Sequence, residues 1–176
     1  SSAIVVGIDN GGSHRIDEYS PWVHPSYGGG EGDEYTEFLV YTLKPYIDSH
    51  YRTLGDAANT GIIGSSMGGL VSLYAALEFP QVFGKAGIFS PSLWFSEQAF
   101  QHVAARGKQQ DQKWYLLAGS QEGGNMAANA YRLENLLHKV GFTVSQIALV
   151  IKEDGSHSEW FWAREFPDAY IWLFNN

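Results

Sequence analysis

The strongest constraint on the fold is an alternation along the chain. Short runs, apolar on both sides, are separated by stretches with helical spacing. Ala3–Ile8 (AIVVGI), Thr60–Gly64, Lys85–Phe89, Lys113–Ala118 (KWYLLA) and Gln146–Ile151 read as strands. Between and after them, helices are expected over Glu34–His50, Met67–Phe79, Phe95–Ala105, Met126–Val140 and Glu159–Phe174. Strands too apolar to alternate, each followed by a helix, imply a parallel sheet covered on both faces. In such sheets ligands bind at the carboxyl ends of the strands. The loops to examine therefore follow Ile8, Gly64, Phe89, Ala118 and Ile151. Pro45 is expected to kink its helix, and Asp9–Asp33 reads as a long loop rich in Gly, Ser and Pro.

Residues 1–176 read as one α/β domain without a linker or internal repeat. The net charge of −8 and the lack of any basic patch argue against nucleic acid as a partner. The chain has no cysteine, which excludes disulfides and thiolate chemistry. No apolar run approaches the roughly 20 residues of a membrane span. Nothing in the sequence fixes a compartment. The chain starts without Met, directly in an apolar run, so upstream sequence is expected to have been removed or to lie outside it.

Gly64-Ser65-Ser66-Met67-Gly68 fits the pattern G-x-S-x-G and lies between a strand and a helix. That is the setting of a nucleophile elbow, a tight and strained turn that lifts a serine hydroxyl above the sheet. Residues two before and two after the nucleophile must be small. Gly64 and Gly68 meet this for Ser66, whereas Ser65 would have Ile63 and Met67 as flanks. Ser66 is thus the candidate nucleophile, and the Met67 N–H is a candidate oxyanion donor at the helix start. The plainer alternative is a Gly-Ser turn that only begins a helix.

A serine needs a base. His50, His102 and His138 fall on or near helices, while His14 and His24 lie in the first long loop. His157 follows the last strand, in Asp154-Gly155-Ser156-His157-Ser158, and is the preferred base. Glu122 follows the strand KWYLLA and gives the chain order Ser, acid, His. Its alternative role is an acid near the start of the Met126 helix. Glu153 and Asp154 are alternatives too local to reach round the His157 ring.

These segments resemble the putative esterase family of the α/β-hydrolases, which includes esterase D-like enzymes and enterochelin esterases. The resemblance covers essentially the whole chain. It rests on VGIDNGGSHRIDEYSPW (Val6–Trp22), LKPYID (Leu43–Asp48), IGSSMGGLVSLYAALEFPQVFGKAGIFSPSLWF (Ile63–Phe95), LLAGSQEG (Leu116–Gly123) and GSHSEWFW (Gly155–Trp162). It implies a serine carboxylic-ester hydrolase that works without metal or organic cofactor on a small-molecule ester. Ser66, His157 and Glu122 match the family's nucleophile, base and acid. Trp94, in Ser90–Phe95, is expected against the substrate. Arg15 and Glu18 match an R-x-x-E pattern, either pairing with each other or leaving Arg15 to hold an anionic substrate group. The same resemblance aligns AIVVGI with the family's fourth strand, so three further strands are expected before Ser1. One of these would lie beside the nucleophile strand, and its following loop would supply a second oxyanion N–H. The chain then reads as the C-terminal portion of a longer domain, with the missing strands cleaved, supplied by another chain, or replaced through rearrangement. Two rivals share the fold: an acyltransferase, and a non-catalytic binding or assembly module keeping an aromatic cleft of Trp22, Tyr27, Trp94 and Trp160.

Overall fold

The computed structural model describes residues 3–175. Four strands form one parallel sheet in the order β1 (Gly61–Ser65), β2 (Lys85–Phe89), β3 (Lys113–Gly119) and β4 (Ile147–Lys152). Spatial order equals chain order, so each crossover joins neighbouring strands. The helices are α1 (Arg15–Glu18), α2 (Gly32–Phe38), α3 (Lys44–His50), α4 (Met67–Glu78), α5 (Gln98–Arg106), α6 (Met126–Lys139) and α7 (Glu159–Phe174).

The strand pleat divides the core in two. Ala86 and Ile88 of β2 and Trp114 and Leu116 of β3 pack with Leu70 and Leu73 of α4, Val103 of α5, and Leu133 and Leu137 of α6. On the opposite face, Phe89, Tyr115 and Leu117 pack with Phe161, Ala169 and Leu173 of α7. Both faces of β2 are therefore covered, which explains its apolar run from Ala86 to Phe89. Helix α4 runs under the sheet and is apolar nearly all round, because β1, β2 and α5 all contact it.

One expectation is corrected. Ala3–Ile8 is not a strand: Ile4, Val5, Val6 and Ile8 are exposed, and no strand pairs with them. An apolar run needs a partner edge to become a strand, and this one stands apart from the edge of β1. The sheet thus has four strands among the described residues, not five. Around Pro45, which was expected to kink its helix, a widened, π-type turn at Leu39–Leu43 joins α2 to α3, and the proline lies in the first turn of α3. The loop Asp9–Asp33 contains a short 3-10 turn, Gly12–His14, and the single-turn α1.

Along the outer edge of β1 lies a cleft of about 1210 Å³. Its walls are Ile4 and Val6 on one side, Ile62 and Ile63 of β1, Leu43 before α3, and Phe166 of α7. Among the described residues no strand pairs with that edge, since β1 bonds only to β2. No helix of the described residues is long and apolar enough to cross a membrane.

Candidate active site

Three loops at the carboxyl ends of β1, β3 and β4 converge. Ser66 follows β1 with φ +59° and ψ −124°, a conformation that non-glycine residues rarely adopt. Its N–H donates to the Phe89 carbonyl at 2.9 Å, and its carbonyl accepts from Ser92 N–H at 3.1 Å. The turn is tight enough that a Cβ on Gly64 would land on the Gly68 carbonyl. Smallness is required at Gly64 and not at Gly68, where a Cβ would meet only the Tyr19 ring at 3.9 Å. The elbow crowds the Gly68 backbone, and the place of its side chain stays open.

Glu122 and His157 come together through another close approach. Gln121 N–H donates to the Gly155 carbonyl at 2.9 Å, and a Cβ on Gly119 would collide with the Gly155 backbone. The carboxylate of Glu122 is fully buried. Its Oε1 accepts the Gly119 N–H at 2.6 Å and the Ser90 hydroxyl at 2.6 Å. Its Oε2 lies 2.6 Å from His157 Nδ1. An ionised carboxylate only accepts, so this contact assigns the ring proton to Nδ1. Nε2 is then free to accept, and it lies 2.9 Å from Ser66 Oγ. The His157 side chain remains about 39% exposed, so the far end of this line is open to solvent and to a ligand.

The other expected residues sort clearly. Met67 opens α4, where the first N–H groups of a helix lack intrahelical acceptors, and its side chain is buried. Trp94 is 57% exposed and joins His24, Tyr27 and Phe95 in a cluster of edge-on and tilted rings. Arg15 and Glu18 do not pair. Glu18 Oε2 accepts the Gly11 N–H at 2.8 Å, while the Arg15 guanidinium lies over the Tyr19 ring, 5.4 Å from its centroid. Local loop hydrogen bonding captured the carboxylate first. The supposed aromatic cleft also divides: Trp22 packs on Tyr74 and His102, and Trp160 lies under Arg164. Asp154 is committed elsewhere, because hydrogen bonds from Arg164 hold its carboxyl below the usual range.

Three residues near the site had no individual role assigned from sequence, although Ser90 and Ser92 lie in the Ser90–Phe95 segment that the family resemblance places along the pocket. Ser92 Oγ lies 3.3 Å from Ser66 Oγ. Ser90 bonds to Glu122 and Trp162 packs on His157, with Trp162 Nε1–H donating to Ser90 Oγ at 2.8 Å. The signals available were the SPS segment after β2 and the tryptophan five residues beyond His157.

A family model described as "Putative esterase" matches residues 1–173. The chain belongs to this family. The "Uncharacterized protein YbbA" of Bacillus subtilis is 28% identical to it over 184 residues, covering 97% of this chain and 73% of the relative. Among solved structures, siderophore hydrolase EstA from Aspergillus nidulans superposes with a TM-score of 0.76 at 19% identity, covering 93% of this chain and 66% of that one. The enterobactin esterase FES from Shigella flexneri gives 0.73 at 22% identity, covering 95% and 42%. At such identities the likeness shows the fold, a four-stranded portion of the α/β-hydrolase type. The chain spans between about two fifths and two thirds of the length of these two solved chains.

Proposed function

We propose that this chain carries the reacting groups of a serine carboxylic-ester hydrolase acting through an acyl-enzyme. The observation that supports this is the unbroken line from Ser66 Oγ to His157 at 2.9 Å and on to Glu122 at 2.6 Å. As Oγ attacks an ester carbonyl, its proton passes to Nε2. The Met67 N–H faces the oxyanion that develops. Nε2–H then protonates the leaving alkoxide, and the alcohol departs from acyl-Ser66. Water, deprotonated by Nε2, attacks the acyl carbon and releases a carboxylic acid and free Ser66. Glu122 keeps the productive tautomer and stabilises the imidazolium. The exposed rings of Trp94 and Tyr27 offer a platform for an aromatic part of the ester, and Arg15 a place for an anionic group. The names of the solved relatives, a siderophore hydrolase and an enterobactin esterase, agree with an ester of that kind.

The test is a fluorophosphonate probe followed by peptide mapping, with aryl ester hydrolysis measured alongside. Labelling confined to Ser66, lost in S66A and in H157A, is the expected result. Labelling elsewhere, or parent-like turnover by S66A, would end the proposal. Competing alcohols in the assay separate hydrolysis from acyl transfer.

We also propose that the cleft beside β1 receives an extended polypeptide segment lying N-terminal to Ser1 in a longer chain. At about 4.8 Å between strands, 10 Å between layers and 3.3 Å per residue, one strand residue occupies roughly 160 Å³. The cleft of about 1210 Å³ thus has room for a strand of common length. The loop following such a strand would bring a second N–H toward the oxyanion. Losing one such donor typically costs about 10² to 10³ in rate. The longer polypeptide should therefore turn over esters faster than residues 1–176 by about that factor; equal rates would refute the assignment.

A further inference from the structure

Among the described residues, two that are not glycine have left-handed φ: Ser66 at +59° and Ser90 at +41°. Both follow the ends of adjacent strands. The first carries the proposed nucleophile. The second has no role in the steps above, yet it is fully buried in a conformation that costs about 1–3 kcal/mol. Backbone strain of this kind persists where the surroundings hold it, and the contacts of Ser90 show what holds it. Its N–H donates to the Leu117 carbonyl at 2.7 Å. Its Oγ accepts the indole N–H of Trp162 at 2.8 Å and donates to Glu122 Oε1 at 2.6 Å.

We infer that Ser90 and Trp162 are positioning residues, which aim the Glu122 carboxylate, and through it His157, at Ser66. This rests on the triad reading above. A hydroxyl has one proton. With Trp162 donating to Oγ, the rotor of Ser90 is set and its proton goes to Glu122. Oε1 then accepts two hydrogen bonds, from Ser90 and from the Gly119 N–H, and Oε2 is left to His157. Trp162 also acts on the base directly. Its ring stands edge-on to the His157 imidazole, with centroids 4.9 Å apart and planes at 88°. One indole thus touches the base by packing and reaches the acid by a relayed hydrogen bond. The carboxylate is wholly buried, so removing a donor leaves charge with fewer partners and lets the pair rotate. A displacement near 1 Å in such a group can cost about 10² in rate.

The experiment uses the chain that hydrolyses esters, with S66A and E122Q as references. S90A and S90G both remove the hydroxyl, but only S90G also relieves the strain. W162F keeps the ring against His157 and removes the N–H. We expect kcat to fall about 10- to 100-fold in all three, with KM changed less than about twofold. The low-field proton signal of His157 Nδ1–H should shift in each. S90A combined with W162F should be little worse than S90A alone, because the two bonds act in series. Should S90A fail to fold, W162F reads the same relay from its other end. If S90G and W162F keep the parent kcat and the parent Nδ1–H signal while S66A is inactive, this inference falls and the triad reading stands. If S66A itself retains parent activity, both fall.

Discussion

At the scale of single residues, the central fact is the backbone at position 66. Ser66 holds φ +59°, which glycine tolerates far better. Two variants that both lose the hydroxyl should therefore differ in stability. S66G should be more stable than S66A by about 1 kcal/mol, measured by urea denaturation, since the strain remains in alanine and is relieved in glycine. Activity should be lost equally in both. E122Q should fold, since an amide still accepts at one atom, but kcat should drop by about 10⁴ as the His157 tautomer is no longer enforced. The serine, the histidine and the acid were legible from spacing because each stands at a predictable strand end. Ser90 and Trp162 were not. Their bonds join residues 72 apart and 32 apart in sequence, and no periodicity encodes such a meeting. Arg15 and Glu18 show the reverse: the family pattern allowed a pair, and a nearer backbone N–H at Gly11 holds the carboxylate.

At the scale of elements, the site depends on how α7 begins. Ser158 caps that helix with its side chain accepting the Phe161 N–H, directly after His157. S158A should lower stability by about 1 kcal/mol in thermal or denaturant unfolding. It should also slow ester turnover, because fraying of the first turn moves Trp162 and the His157 loop together. Helix α4 behaves differently. It lies under the sheet, and Leu70 has no exposed surface. L70A should cost about 3–5 kcal/mol, as buried leucine truncations do when a cavity cannot close. Helices α4, α6 and α7 could be read from sequence to within a residue or two, since their apolar residues run or recur at helical length and spacing. The wide turn between α2 and α3 could not. A proline signals a lost hydrogen bond, but whether the helix bends or widens depends on what packs beside it.

At the scale of the whole molecule, the open edge of β1 sets behaviour. Among the described residues, β2 and β3 have partners on both sides, and β1 has one only on the side of β2. Amide hydrogen exchange should therefore be fastest in the outward-facing N–H groups of β1 and slowest in β2 and β3. Protection rising in β1 in a longer polypeptide would accompany a strand seated in the cleft. The sequence by itself determined a parallel sheet with helices on both faces, the tight turn at Ser66, and the loops that carry Glu122 and His157. These follow from local chemistry: residue spacing, small flanks, and apolar runs of strand length. Whether an apolar run becomes a strand was decided by tertiary structure alone. Ala3–Ile8 has the composition of a strand, but stands across a cleft from β1 without pairing with its edge. A strand is defined by hydrogen bonds to a neighbour, and a neighbour is not a property of the segment itself. The same reason explains the support of Glu122: one donor, Ser90, arrives from the residue after β2, and Ser90 is itself held by Trp162 of α7, elements that only the tertiary structure brings together.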